Sequence, residues 1–220
     1  MKNSKATLLG ATGLIGGHLL DELKNDSSYK EIHVILRRQV DFNHPRVKEV
    51  VIDFEDEKAF QNAIAPESVV FCAVGTTQSK VDGDKEKYRK VDYNIPVNAA
   101  KFGLERDCKS FVLVSSIGAD SKSSNFYTKL KGEVEDKVSE FGYKNIHIFR
   151  PSLLLGDRKE NRTGERIAKL FMSAFSFLLP PKYKPIQAKV VAKAMLKASK
   201  VKEEGKHIYD YTSISSLAKD

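Results

Sequence analysis

The sequence predicts an α/β protein built on a doubly wound parallel sheet with helices on both faces. Short apolar runs alternate with helical patterns along almost all of the 220 residues. The fourth run, SVVFCAV at 68–74, is rich in β-branched residues and nearly all apolar, as expected for a central strand that helices cover on both sides. Such an alternation is typical of a doubly wound parallel sheet.

The predicted elements alternate along the chain. Six strands are predicted, at ATLL (6–9), IHVIL (32–36), KEVVID (48–53), SVVFCAV (68–74), SFVLVSS (110–116) and NIHIFRP (145–151). Helical spacing of apolar residues predicts helices at about 14–23, 57–64, 91–102, 126–141 and 189–200. Glycines and prolines interrupt this rhythm between residues 156 and 185. We therefore expect one domain over residues 1–220, with 156–185 as a small C-terminal excursion on the substrate side.

Composition limits the classes of protein that fit. The two cysteines, Cys72 and Cys108, have no metal-ligand spacing and favour a reducing compartment. The first strand begins near Lys5, so we expect no signal peptide and a cytoplasmic location. The longest apolar run, LFMSAFSFLL at 170–179, is half the length that a bilayer span needs, so no integral membrane segment is expected. The net charge of +8 arises partly from lysines on one solvated face of the last predicted helix, and no nucleic-acid-binding pattern accompanies it.

A glycine-rich turn follows the first predicted strand. In LLGATGLIGG, Gly10 permits the tight strand-to-helix turn, Gly13 lets the backbone approach a pyrophosphate, and Gly16 lets the helix pack closely on the sheet. The amino end of the helix then presents free N–H groups to the anion. A glycine triplet alone is a weak signal, but here the required strand and helix flank it. This turn predicts the dinucleotide-binding Rossmann fold.

The second strand ends in Arg37 and Arg38, where dinucleotide-binding folds usually carry an acid for the ribose 2′-hydroxyl. A guanidinium pair there would bind a 2′-phosphate, which favours NADP(H) over NAD(H) as the cofactor. The alternative is that two arginines simply end an exposed strand. Asp53, at the end of the third strand, is placed to meet the adenine or to cap the next helix.

The stretch NFYTKLKGEVEDK places Tyr127 and Lys131 one helical turn apart on the flank of an apolar stripe. Reduction of a carbonyl requires a proton for the oxygen, and a lysine ammonium beside a tyrosine lowers the pKa of a phenol. A serine after the fifth strand can hold the carbonyl oxygen. We prefer Ser116 to Ser115 from its position beyond the strand end, and the choice stays open. The alternative is that Tyr127 and Lys131 are ordinary packing and surface residues.

These motifs together resemble the short-chain dehydrogenases/reductases, with GATGLIG, the serine pair and Tyr127-x-x-x-Lys131 as the shared pattern. The runs FCAVGTT, SSIGADSKSSNFYTKLKGEVE and FRPSLLLGDRKENRTGE are similar to the atypical, Tat-interacting-protein-like and NmrA-like group of this family. The resemblance implies that Ser116, Tyr127 and Lys131 are catalytic. It also implies an NADPH site formed by Gly10, Thr12, Gly13, Leu14, Ile15, Gly16, Arg37, Arg38, Asp53, Val74, Gly75, Tyr127, Lys131, Leu154 and Arg162.

Two functions from different classes fit these residues. The first is an NADPH-dependent oxidoreductase acting on an unknown small carbonyl or alcohol, and the second is an NADP(H)-sensing regulatory protein that binds a protein partner without turnover. An intact serine, tyrosine and lysine favour catalysis, because a sensor has no use for a proton donor. We also predict a helix that carries Leu170, Phe171 and Phe175 beside the substrate cleft. The sequence leaves a monomer or a dimer open.

Overall fold

A computed structural model describes residues 4–156, 180, 183–201 and 203–219 of the chain. The strands are β1 (Ser4–Leu9), β2 (Tyr29–Leu36), β3 (Val47–Val51), β4 (Val69–Cys72), β5 (Ser110–Val114), β6 (Asn145–Phe149), β7 (Leu154–Leu155), β8 (Ile186–Gln187) and β9 (Gly205–Tyr209). The α-helices are α1 (Leu14–Asn25), α2 (Glu57–Ala63), α3 (Lys85–Arg89), α4 (Ile95–Glu105), α5 (Phe126–Glu140), α6 (Ala188–Ala198) and α7 (Tyr211–Lys219). A 3₁₀ turn at Gln78–Val81 and a π-helical turn at Lys90–Asn94 lie between β4 and α4.

Seven of the described strands form one parallel sheet in the order β3-β2-β1-β4-β5-β6-β9. From β1 the chain runs outward to β3, returns to β4 on the other side of β1, and then continues outward to β9. The short strands β7 and β8 form a separate parallel pair. The doubly wound α/β fold predicted from the sequence is therefore confirmed.

Helices cover both faces of the sheet, which explains why the strands are apolar almost without interruption. Leu8, Val34 and Phe71 point to the face that α1, α6 and α7 cover. Their strand neighbours, such as Leu9 and Ile35, point to the opposite face, which α2, α4 and α5 cover. Both core layers exclude water, and they leave the ends of the strands as the place where polar side chains can act.

The structure adds elements that the apolar pattern did not predict. The edge strand β9 and the helix α7 were absent from the sequence prediction, because β9 is partly exposed and alternates too weakly to stand out. The predicted helix at 91–102 begins earlier, since α3 and the π-helical turn lead directly into α4. Most of the 156–185 excursion, including Arg162 and the predicted helix with Leu170, Phe171 and Phe175, lies outside the described residues.

Candidate functional site

The loops after β1 and β4 meet where the strand order reverses, the usual position of a ligand crevice in this class of sheet. Gly10 has a φ of +87°, and a Cβ atom there would lie 2.5 Å from the Ala73 carbonyl oxygen. A Cβ atom on Gly16 would lie 2.0 Å from the Gly10 carbonyl oxygen. Both contacts are with backbone, so a side chain at either position would push the loop away from the sheet or from α1.

Helix α1 begins next to this loop without a side-chain cap. Gly13 occupies the N-cap position, no side chain in the described part of the chain accepts a bond from the first turn, and that turn contains no acidic residue. Thr12 and Gly13 are exposed, Leu14 is half-buried and Ile15 is buried. The positive end of the helix dipole and its N–H groups therefore face a surface that an anion can reach.

An open cleft of about 950 Å³ lies at the ends of β2 and β3. Its lining includes Arg37 and Asp53, together with Asn94 and Asn98 from the helical segment after β4. Arg38 is exposed beside Arg37. Asp53 does not cap the following helix: the cap is Asp56, whose carboxylate accepts a bond from the Ala59 N–H. Of the two roles that the sequence left open for Asp53, the capping role is thus wrong.

Two further segments border the glycine loop. Val74 and Gly75 lie in the loop after β4, and Gly75 is exposed. Leu154 lies in β7 and packs against the core layer that contains α1. A Cβ atom on the nearby Gly156 would lie 2.9 Å from Leu14, so the segment after β6 contacts the start of α1. The structure thus brings together the loops that carry most of the predicted cofactor residues.

Helix α5 carries Tyr127 and Lys131. Its start is fixed by Asn125, whose side-chain oxygen accepts bonds from the N–H groups of Tyr127 and Thr128 at 3.0 and 3.2 Å. Leu130, Val134 and Val138 are buried, as the apolar stripe predicts. Tyr127 is half-buried and packs against a small cluster of apolar side chains.

Lys131 is buried and forms an ion pair that the sequence did not predict. Its Nζ atom lies 2.8 Å from Oδ1 of Asp92, and the other Asp92 oxygen accepts a bond from the Thr76 N–H at 2.7 Å. The ammonium also lies 5.9 Å from the centre of the Tyr127 ring. Burial alone would lower the pKa of Lys131, but the Asp92 carboxylate, together with Tyr127 and Cys72, outweighs burial, so the pKa lies above its ordinary value. The ammonium is therefore charged at neutral pH.

The two serines after β5 have different surroundings. The buried Ser115 donates a hydrogen bond to Glu135, and Glu135 in turn accepts bonds from Arg150 Nε at 3.0 and 3.1 Å. Ser116 is half-buried, and its hydroxyl contacts only the adjacent Ile117 carbonyl, at 3.3 Å, among the described residues. Ser115 is thus held by a structural network, while the Ser116 hydroxyl is bound weakly.

The loop that carries Ser116 makes further close contacts with α5. The Asp120 N–H donates to the Thr128 carbonyl oxygen at 3.0 Å. At Gly132, a Cβ atom would lie 2.1 Å from the Ser121 nitrogen and 2.2 Å from the Asp120 carbonyl carbon. Gly132 therefore permits a close approach between the helix and the loop that carries Ser116.

Sequence reasoning missed Asp92, Glu135 and Gly132. The sequence contains a signal for Asp92, because this acidic residue lies just before a helix whose residues are mostly apolar. For Glu135 and Gly132 the sequence offers no local signal, since their partners lie on other segments.

Comparison with known proteins agrees with this arrangement. Residues 10–145 match the family described as NAD(P)H-binding, and the chain belongs to this family. Within it, the resemblance to the atypical short-chain dehydrogenase/reductase group is confirmed by relatives of that group. Protein HTATIP2 of Rattus norvegicus is 36% identical over 177 residues, which are 79% of this chain and 72% of the relative. Protein FMP52, mitochondrial, of Candida albicans is 36% identical over 167 residues, which are 74% and 72% of the two chains.

The relatives correct one prediction. The cytoplasmic location expected from the sequence is wrong by this comparison, because the fungal relatives are named as mitochondrial proteins. The one from Saccharomyces cerevisiae is 34% identical over 158 residues, 70% of this chain and 68% of its own. Among the residues that the structure describes, none of the helices has the length and apolar character to cross a membrane.

Solved structures share the fold at low identity. MoeE5 in complex with UDP-glucose and NAD has a TM-score of 0.70 and 15% identity, over 98% of this chain and 81% of that chain. UDP-N-acetylglucosamine 4-epimerase from Methanobrevibacter ruminantium, in complex with UDP-N-acetylmuramic acid, has a TM-score of 0.74 and 17% identity, over 96% and 77%. At these identities the likeness establishes the Rossmann-type fold alone.

Proposed function

We propose that this protein is an NADP(H)-dependent oxidoreductase that interconverts a small carbonyl compound and its alcohol. The observation that carries the proposal is the pairing of Tyr127 with Lys131 on one face of α5, where Lys131 is buried and kept charged by Asp92. A buried charge is costly to maintain, so a purely structural lysine at this position would be an unfavourable choice.

The chain fits an NADP(H) cofactor at the nucleotide end. The cradle around Gly10 and Gly16 and the uncapped start of α1 suit a pyrophosphate. Arg37 and Arg38 suit a 2′-phosphate, since a guanidinium group binds phosphate through two parallel hydrogen bonds. Asp53 lines the same cleft as Arg37, and Val74 lies next to the glycine turn with Gly75 after it. Leu154 packs in the core layer that contains α1. When bound, NADPH supplies the hydride that the carbonyl carbon accepts.

At the other end the chain supplies a proton and orients the carbonyl. The Tyr127 hydroxyl donates its proton to the carbonyl oxygen, and the Lys131 ammonium stabilises the phenolate that results. The Ser116 hydroxyl donates a hydrogen bond that holds the carbonyl oxygen in place. In the reverse direction the phenolate takes the proton from the alcohol.

Replacement of Tyr127 tests this proposal. Oxidation of NADPH would be followed spectrophotometrically with a panel of small aldehydes, ketones and quinones, first with wild type and then with Tyr127→Phe. The variant keeps the ring and loses the proton, so we expect kcat to fall by about 10²–10⁴-fold. The affinity for NADPH and the thermal stability should change little.

Tyr29→Phe is the matched control. The Tyr29 hydroxyl bonds Ser199 at 2.8 Å, and Tyr29 begins β2, at the end of the strand away from the crevice. This variant also loses one tyrosine hydroxyl, but it should retain full turnover. Full activity in Tyr127→Phe would show that Tyr127 is a packing residue and not the proton donor. Tight NADPH binding without reduction of any carbonyl would favour the sensor alternative.

A further inference from the structure

We propose that Asp92 is a positioning residue of this site, which holds the Lys131 ammonium in one place beside Tyr127 and joins it to the loop after β4. The inference rests on the proposed oxidoreductase function, and it assigns a role to a residue that the glycine, serine and tyrosine motifs do not include.

The geometry of Asp92 supports this role. Its side chain is 1% exposed, and its two oxygens have different partners: Lys131 Nζ on α5 and the Thr76 N–H in the loop after β4. That loop also contains Val74, which lies against the glycine turn, and Gly75, which lies beside the Asp92 carboxylate. One carboxylate therefore connects the helix that carries the proton donor with a loop of the cofactor site.

The backbone around Asp92 departs from a regular helix. Residues Lys90–Asn94 form a π-helical turn between α3 and α4. Such a turn inserts an extra residue into a helix, and it occurs frequently at functional sites because it redirects a side chain. Here the turn carries an aspartate whose neighbours Val91 and Tyr93 pack against the apolar core.

The charge of Lys131 depends on Asp92. The groups that act on the ammonium are Asp92 from the π-helical turn, Tyr127 from the same helix, and Cys72 from β4. Burial raises the pKa of Cys72 to about 11, so the thiol carries no charge at neutral pH. Without the Asp92 carboxylate, burial would be the dominant influence and would lower the pKa of Lys131. The ammonium would then lose its proton as the pH rises.

The test compares four proteins: wild type, Asp92→Asn, Lys131→Met and the double variant Asp92→Asn/Lys131→Met. The affinity for NADPH would be measured by fluorescence titration at several pH values, and kcat would be measured with phenanthrenequinone as the carbonyl probe. Unfolding in urea would be recorded for each protein. Asp84→Asn is the control, since Asp84 caps α3 in the same segment and asparagine is also a good cap.

We expect Asp92→Asn to bind NADPH more weakly and to reduce the probe more slowly as the pH rises, with recovery toward wild type at lower pH. We expect the loss in kcat to be smaller than the roughly 10²–10⁴-fold factor that a general acid contributes. In the Lys131→Met background the same substitution should add little to either loss, and the double variant should regain stability because no buried charge is left unpaired. Asp84→Asn should show no such pH dependence.

Two results would overturn the inference. One is an Asp92→Asn protein whose NADPH affinity and kcat follow the wild-type pH profile. The other is a double variant whose losses equal the product of the two single losses, which would mean that Asp92 acts independently of Lys131. The binding and unfolding measurements need no substrate. A wild type that binds NADPH but reduces no carbonyl would therefore contradict the proposed function, while the coupling of Asp92 to Lys131 would still be measured.

Discussion

The two ends of the proposed cofactor crevice are built in different ways. The end proposed for the pyrophosphate is made of backbone: within seven residues, Gly10, Gly13 and Gly16 form the turn and open α1. The Tyr127 end is made of side chains that come from the π-helical turn, from the loop after β5 and from α5. The first depends on the absence of Cβ atoms, and the second depends on charged groups that are paired in the interior.

The Tyr127 end itself contains two ion pairs on α5 that differ in their access to water. Lys131 and Asp92 are both almost fully buried, whereas the Arg150 side chain that pairs with Glu135 is 32% exposed. The first pair is shielded from bulk solvent, so the attraction between its two charges is screened far less than in an exposed pair. The second pair braces Ser115, and Arg150 can remain hydrated when its partner is lost.

The largest effect is expected at the adenosine end of the crevice. Replacing both Arg37 and Arg38 with alanine should remove most of the preference for NADPH over NADH. Each charge-assisted bond to a 2′-phosphate is worth roughly 1.5–3 kcal/mol, and NADH cannot form one. Calorimetric titration of both cofactors measures the difference directly.

Lys30→Ala is the control for that experiment, because Lys30 is an exposed cation near the opposite end of the same strand. It should leave the preference unchanged. Equal affinities of the wild type for NADPH and NADH would refute the role given to the arginine pair.

The second prediction compares buried and exposed pairs on α5. Glu135→Gln removes the charge that faces Arg150, and loss of one partner of a buried pair costs roughly 3–5 kcal/mol. Because Arg150 reaches solvent, we expect about 2 kcal/mol in the free energy of unfolding. Glu133→Gln breaks the Glu133–Arg89 pair, whose side chains are 27% and 38% exposed, and should cost only about 0–1 kcal/mol. Urea unfolding of both variants measures the two losses in the free energy of unfolding. Equal losses would mean that burial does not make the Glu135–Arg150 pair more stabilising than the Glu133–Arg89 pair.

The same contrast explains what the sequence could predict. The strands and the glycine turn are local patterns, since each apolar run and each glycine position can be recognised without knowledge of its spatial neighbours. The doubly wound sheet follows from that alternation, and the structure confirms it. The edge strand β9 was not predicted, because only one side of it pairs with the sheet and several of its residues are exposed.

Long-range partners could not be predicted in this way. Asp92 and Lys131 are 39 residues apart, and Ser115 and Glu135 are 20 residues apart. Only the folded chain shows that Ser115 has a strong partner, whereas Ser116 has none among the residues that the structure describes. The roles of Ser116, Tyr127 and Lys131 remain predictions, which the substitutions described above test.

Glycine substitutions should separate the two ends of the crevice. A Cβ atom on Gly16 or on Gly132 would lie 2.0 or 2.1 Å from a backbone atom, so alanine at either position should cost about 1–3 kcal/mol of stability. The functional losses should differ. Gly16→Ala should weaken NADPH binding, whereas Gly132→Ala should lower kcat at nearly unchanged NADPH affinity, because it displaces the loop that carries Ser116.

Gly17→Ala is the matched control for the glycine turn. Its Cβ atom would lie 3.5 Å from the Ala11 carbonyl oxygen, an ordinary contact, and alanine favours a helix over glycine by roughly 1 kcal/mol. Thermal unfolding and fluorescence titration of the three variants give both quantities. Identical functional profiles for Gly16→Ala and Gly132→Ala would contradict the division of the crevice into two ends.

The smallest effect is expected at the start of α5. Asn125→Ala removes the cap from the N–H groups of Tyr127 and Thr128, which should cost about 1 kcal/mol of stability. NADPH affinity should not change, because these N–H groups are used by the protein itself. Helix α1 offers the reciprocal variant. Gly13→Asn would supply a side-chain cap, and its Cβ atom would lie 3.2 Å from the Gly10 carbonyl oxygen, so this backbone atom must move by a few tenths of an ångström.

Such a cap should stabilise the free protein by up to a few tenths of a kcal/mol relative to glycine, and it should weaken NADPH binding because it occupies the N–H groups proposed for the pyrophosphate. Urea unfolding and fluorescence titration of both variants measure these effects. If Asn125→Ala lowered NADPH affinity and Gly13→Asn did not, the anion site would lie at α5 rather than at α1. If Gly13→Asn weakens NADPH binding and Asn125→Ala does not, the result supports different roles for the two helix starts. The start of α5 is capped by the Asn125 side chain, and the start of α1 is left open for the cofactor.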